Sequence, residues 1–301
     1  MKAIILNLSA WIMLPIMDGF AKHLSFTLPV LQIAWARYFF TVVFTLPIMF
    51  FFFNKYLVWT EKPKLQFIRG FILLCANICF FYAISVVSLA KALTLAFIAP
   101  LIVTALSPIL LGEKVGFRRW TAVIVGFIGS LVVIRPGFVE LNLASFAALG
   151  TGVMYGFYLI ITRKLSTFDN PLLTLLLTGI VGAIIISCAM PFVWVKPTLE
   201  EWSMMAAIGI FACIGHLFLI LSLKYADASK LAPFSYFEII TNIIIGYYFF
   251  SDCPDKWTFF GWIIIVSSGI YIHERKQKKF NNNFFFCQHL DIKHYYFYFF
   301  L

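Results

Sequence analysis

Charge is what this sequence has least of. Aspartate, glutamate, lysine and arginine make up 12% of its 301 residues, where an ordinary soluble domain carries about a quarter. Acidic residues are the scarcer sign, 13 against 23 basic ones. No GxxxxGK[ST] segment occurs, so ATP hydrolysis by this chain has no support. The six cysteines, at 75, 79, 188, 213, 253 and 287, lack metal-ligand spacing. Cys75 and Cys79 sit at i, i+4 with no histidine or carboxylate beside them, and read as small packing residues. There is no aspartate-rich run of the kind that holds a metal against a lipid substrate. Glu200 with Glu201, and Asp252 with Asp255, are isolated pairs that read as solvated helix ends. No metal and no cofactor is therefore expected, and a membrane-embedded enzyme is the weaker class. A channel is weaker too, because the polar residues form one asymmetric set and not a repeated pore lining.

Apolar residues fill the space that charge leaves. They make up 62% of the chain, the mean hydropathy is +0.94, and the reading is an integral membrane protein whose main surroundings are the lipid bilayer. The net charge of +10 sits in short basic clusters between apolar segments. That arrangement suits an anionic membrane leaflet, and no nucleic-acid partner is expected. A spanning helix needs about 20 mostly apolar residues. Ten segments meet that measure: 3–21, 30–53, 68–88, 92–111, 117–134, 143–162, 172–193, 203–222, 231–250 and 257–273. The first resembles a signal peptide at its start, but runs on through Trp11 and Pro15 without a small-residue cleavage site and is expected to be retained. Turns such as RPG (135–137) and DNP (169–171) separate helices. The connections leave no room for a soluble domain, so any chemistry lies within the bundle or at its mouths.

With a cytoplasmic N-terminus, 17 of the 23 lysines and arginines fall on the inner side, including Lys62, Lys64, Arg69, Arg163 and Lys164. This bias predicts both termini inside and an even number of spans.

The chain also resembles itself. At an offset of 139, SLAKALTLAFIAPLIVTALSPILLGEKVGFRRW (88–120) aligns with DASKLAPFSYFEIITNIIIGYYFFSDCPDKWTFF (227–260), pairing Lys91 with Lys230 and Glu113 with Asp252. At an offset of 141, KHLS (22–25) matches RKLS (163–166). The expected organisation is all-α, ten transmembrane helices forming two five-helix repeats over 3–134 and 143–273. Five is odd, so the second repeat enters the membrane from the opposite side, an inverted repeat of the kind that lets a central site open to each face in turn. A carrier is the expected class.

The LLGEKVGFRRW and GFIGSLVVIRPG segments (110–120 and 126–137) and the related FFSDCPDKWTFFGWIII (249–265) resemble the EamA-type carriers of the drug/metabolite transporter superfamily. The likeness covers about residues 3–279. MDGFAKHLS (17–25), ARYFF (36–40) and PFSYFEI (233–239) are similar to the branch containing S-adenosylmethionine uptake carriers, matching at Asp18, Arg37, Tyr236 and Glu238. The resemblance implies a secondary transporter in a bacterial inner membrane, a monomer or homodimer, with S-adenosylmethionine as the small-molecule substrate. Riboflavin and amino-acid or other metabolite permeases of the superfamily are the alternatives. Ser235 departs from the pattern, since the related carriers tend to have a basic residue there.

Side chains judged by depth point to the same place. At about 1.5 Å per residue, Arg37 lies roughly 10 Å below one surface and Glu238 roughly 10 Å above the other, which lets them share one cavity in a core about 30 Å thick. Ser235, Glu238 and Asn242, at i, i+3 and i+7, fall on one helical face. Asn77 and His216 lie at similar depths, and Asp18 sits nearer the outer end, where it balances Arg37 or guards the mouth. Tyr155 and Tyr158 flank Gly156, and Tyr236 neighbours Glu238. A buried charge in lipid costs at least about 2.5–3.5 kcal/mol, so each needs a partner or a task. The plain alternatives are an Arg37–Glu238 structural ion pair, a hydrogen-bonded core His216, an interhelical Asn77 and an interfacial Asp18. Glu113 and Asp252 read as helix-end residues. Pro100, Pro108 and Pro233 loosen their helices and are candidate hinges. Ten of the 22 residues in the tail, 280–301, are aromatic. Its interspersed polar residues break any further span, and it is expected to be a disordered or aberrant extension.

Overall fold

A computed structural model describes residues 1–52, 60–134 and 142–250, with 257, 260, 261, 263, 264 and 267 as isolated positions. The RPG turn, most of the expected tenth span and the 280–301 tail lie outside the described residues. The described chain is helical, with no strand among the described residues. Its helices are α1 (Lys2–Leu24), α2 (Val30–Phe52), α3 (Pro63–Val86), α4 (Leu89–Ala96), α5 (Ala99–Leu111), α6 (Phe117–Ile134), α7 (Leu143–Leu165), α8 (Pro171–Ser187), α9 (Met190–Val193), α10 (Leu199–Tyr225), α11 (Ala228–Leu231) and α12 (Glu238–Phe250), with a 3₁₀ turn over Ala232–Phe237. Five of them, α1, α2, α3, α7 and α10, are long and apolar enough to cross a membrane. The apolar helices α5 and α8 are shorter.

Local chemistry sets the helix ends. Asn170 accepts the Leu172 N–H at 2.9 Å, with Pro171 in the first turn where its missing N–H costs nothing. Asn142 caps α7 in the same way, accepting the Ser145 N–H at 3.0 Å. Thr198 and Glu201 form a reciprocal capping box at the start of α10.

The expected fourth and ninth spans are each broken. A turn at 97–98 separates α4 from α5, and α12 begins only after the short α11 and the 3₁₀ turn that contains Pro233. The two breaks coincide under the 139-residue offset. The expected seventh span is divided as well, between α8 and α9.

Packing follows a paired pattern. α1 lies against α10 and α3 against α7; α2 meets α8 and α10, while α3 meets α8; α12 touches α1, and α4 and α5 touch α7. Moving each helix of the first half by the offset carries α1–α10 onto α7–α3, α2–α10 onto α8–α3, and α1–α12 onto α7–α5. One close approach depends on glycine. A Cβ on Gly152 of α7 would strike the carbonyl oxygen of Ala96 at the α4 break, so only glycine lets α7 seat there.

Polarity is distributed as lipid demands. Phe51 is 79% exposed and Ile109 77%, while Asp18, Arg37, Arg69, Asn77, His216 and Glu238 are all buried. The outer face is apolar and the costly groups are inside.

At one end of the bundle a polar cluster joins the two halves. α5 stops at Gly112, whose φ of 67° is the left-handed conformation that ends a helix and favours glycine. The chain turns there and sends Glu113 across to α11, where its carboxylate accepts the backbone N–H of Ala228 (2.9 Å) and of Ser229 (3.0 Å) and the Ser229 hydroxyl (2.6 Å). Arg163 at the end of α7 reaches Glu113 at 3.5 Å and Asp227 at 3.3 Å, and Lys230 pairs with Asp227. Arg119 donates to the Ser229 hydroxyl at 2.8 Å. Glu113 is thus a helix-end residue with a specific load.

Candidate functional site

The two helix breaks open onto one internal cavity. Asp18 of α1, Asn77 of α3, Pro100 of α5, Tyr155 of α7, His216 of α10, and Ser235 and Glu238 at the second break all line it. Trp11, Phe80, Phe97 and Leu159 are among the apolar walls. The centre of a water molecule can move through about 70 Å³ of it, room for several waters.

Two carboxylates face this space; Arg37 lies within electrostatic reach of Asp18, but no cation forms an ion pair with either carboxylate among the described residues. Asp18 is 3% exposed and Glu238 9%, and neither side chain makes an ion pair or hydrogen bond among the described residues. Asp18 Oδ1 is buried with no partner. The two carboxylates lie within electrostatic reach of each other. Removing such a group from water is expensive unless something positive or hydrogen-bonding meets it, and a cation or a proton would offset that cost.

Arg37 is not that partner for Glu238. Its Nη2 lies 2.6 Å from His216 Nε2, and its guanidinium stacks 4.6 Å from the Tyr38 ring centroid. A guanidinium has only donors, so His216 Nε2 accepts; the imidazole is the neutral Nδ1–H tautomer and donates to Tyr158 O at 3.1 Å. His216 and Asn77 line the cavity, but their N–H groups and the His216 acceptor are turned to Arg37, Tyr38 and Tyr158 in the layer behind. Asn77 donates to the Tyr38 hydroxyl at 2.7 Å and to the Leu73 carbonyl at 2.6 Å. Tyr158 stacks on Tyr155 at 5.3 Å, and Tyr155 meets Trp11 edge-on at 6.4 Å.

Of the residues expected to form a site, Asp18, Asn77, Tyr155, His216 and Glu238 converge on the cavity. Arg37 and Tyr158 stand behind it, and Asn242 and Tyr236 do not line it. Asn242 turns back to donate to the Glu238 carbonyl at 3.1 Å. Tyr236 is fully buried and points the other way, donating to the Val123 carbonyl at 3.1 Å, with its ring against Phe97 and over Gly126. The Gly126 of the GFIG segment is small so that this ring fits.

One buried cation was placed by sequence among the loop charges. Arg69 is 0% exposed. It donates to the Thr174 carbonyl at 2.9 Å, contacts the Thr178 hydroxyl, and lies 5.2 Å from the Tyr158 ring centroid. Beside it Gln66 and Thr60 donate to Asp169 at 2.7 and 2.6 Å. Pro63 starts α3 six residues earlier, which sets Arg69 about 9 Å along the helix; that proline was the available signal.

The EamA-like transporter family model matches residues 1–135 and 142–272. An S-adenosylmethionine uptake transporter of Rickettsia bellii is 26% identical over 87% of this chain and 89% of its own length. A riboflavin transporter of Vibrio cholerae is also 26% identical, over 90% of this chain and 93% of its own. The cargo in these names differs at equal identity, so the relatives do not specify one here. A solved crystal structure superposes with a TM-score of 0.75 over 88% of this chain and 94% of that one, at 17% identity, a likeness of fold. With both halves of the sequence matched by that model, the chain is a transporter, not an enzyme, and belongs to the EamA-like transporter family.

Proposed function

We propose that this chain is a secondary carrier for S-adenosylmethionine, working by alternating access in a bacterial inner membrane with both termini cytoplasmic. The observation that carries the cargo is the pair of buried carboxylates, Asp18 and Glu238, on one cavity, with no cation in an ion pair with either among the described residues. A cationic substrate offsets that cost; a neutral one such as riboflavin does not. Trp11 and Tyr155 offer aromatic faces for an adenine ring and for cation–π contact. The substrate carboxylate would be met by Arg37 once its contact with His216 parts. The cavity is narrow for a metabolite of this size, so binding requires the halves to move. The matching breaks at 97–98 and 232–237, and the matching helix pairs, support two inverted repeats, 3–134 and 143–273, with hinges at Pro100 and Pro233.

Purified protein in liposomes tests this directly. Labelled S-adenosylmethionine should enter saturably and show counterflow. Unsaturable flux would mean a channel, and saturable uptake of riboflavin or an amino acid in its place would replace the cargo.

A further inference from the structure

Asp18 is more than a second acidic wall. Its side chain is almost wholly buried, its Oδ1 has no partner, and it lines the cavity from α1 while Glu238 lines it from α12. Two carboxylates on opposing helices repel, and the nearby cations are occupied elsewhere. Arg37 lies within electrostatic reach of Asp18 but makes no ion pair with it, its Nη2 being held by His216 and its guanidinium stacked on Tyr38. Lys22, one turn beyond Asp18, donates to the Val87 carbonyl at 3.4 Å and lies 5.2 Å from the Phe250 ring centroid. Arg69 is fixed on Thr174 and Thr178. A ligand with one positive centre would answer one carboxylate and leave the other bare.

We infer that Asp18 and Glu238 together read two positive centres on one ligand. Resting on the cargo proposed above, these are the sulfonium and the α-ammonium of S-adenosylmethionine, which three carbon atoms separate, so that one small cavity can meet both from two helices. S-adenosylhomocysteine keeps the adenosine, the ammonium and the carboxylate, but its sulfur is a neutral thioether. It leaves one carboxylate unanswered. The carrier therefore selects the methylated form by charge. Shape offers a rival cause, since a pocket distinguishes a single added carbon by about 10–200-fold. The discriminating observation is what happens to the preference when one carboxylate is neutralised at nearly constant shape.

The experiment is inhibition of labelled S-adenosylmethionine uptake in proteoliposomes by unlabelled S-adenosylmethionine, S-adenosylhomocysteine and decarboxylated S-adenosylmethionine. In the wild type, decarboxylated S-adenosylmethionine, which keeps both positive centres, should compete better than S-adenosylhomocysteine by at least about tenfold. In Asp18→Asn the preference for S-adenosylmethionine over S-adenosylhomocysteine should fall by about tenfold or more, and Asp18→Glu should restore much of it. An unchanged preference in Asp18→Asn overturns the inference and leaves the carrier reading intact. Should Asp18→Asn fail to insert, the wild-type comparison still decides, because S-adenosylhomocysteine matching or beating the decarboxylated compound overturns the inference alone. Absence of saturable S-adenosylmethionine uptake in the wild type overturns the cargo and this inference together.

Discussion

Glu113 and Glu238 are the same side chain in two opposite surroundings. Glu113, at the mouth of the bundle, accepts two backbone N–H groups and a hydroxyl and meets Arg163. Glu238, inside, meets none of these among the described residues. A fully answered carboxylate holds two halves of a protein together; under the proposed function, one left unanswered in the cavity meets the positive charge of the substrate. Burial alone therefore says little about role until the partners are counted.

Neutralising each group should separate the two roles. Glu238→Gln should weaken S-adenosylmethionine binding by about a hundredfold while leaving the thermal stability of the empty protein unchanged or higher, because an unanswered buried charge is removed. Glu113→Gln should do the reverse, costing about 2–3 kcal/mol of stability with substrate affinity within about threefold of wild type. A common loss of both properties in either variant would erase the distinction. Tyr236→Phe removes one hydrogen bond, to the Val123 carbonyl, and should cost about 1 kcal/mol with no change in substrate preference, as competition uptake and a melting curve would show.

The smallest effect concerns pH at the mouth. Burial opposes the charge of Asp227, but the hydrogen bond and charge of Lys230, with Arg163 and Arg119, outweigh it and hold the carboxyl below its ordinary range. A group with a depressed folded-state value stabilises the fold above its unfolded value, about 3.9, and loses that contribution as pH falls through the depressed value. The melting difference between wild type and Asp227→Asn should therefore be flat from about pH 8 to 5 and shrink below about 4.

Hydropathy made the helices legible, because lipid forces about 20 apolar residues on any span, and the cost of buried charge singled out Asp18 and Glu238. Depth along a helix did not reveal azimuth, which is why Arg37 was set opposite Glu238 when its partner is His216. Tyr236 was misplaced for a related reason. In a 3₁₀ turn residues i and i+3 eclipse, so Ser235 and Glu238 share the cavity face while Tyr236, between them, swings about a third of a turn away, onto α6. Arg69 was read with the loop charges because Lys62 and Lys64 stand shortly before it in sequence. The Glu113 contacts on α11 join residues more than a hundred positions apart, and no local pattern encodes them.

The central claim is that the unanswered carboxylates of the cavity hold the substrate's positive charge. Equilibrium binding of labelled S-adenosylmethionine to purified wild type, Glu238→Gln and Glu113→Gln tests it most directly. The account predicts saturable binding to wild type and to Glu113→Gln, and about a hundredfold loss in Glu238→Gln. Equal binding by wild type and a folded Glu238→Gln would contradict it.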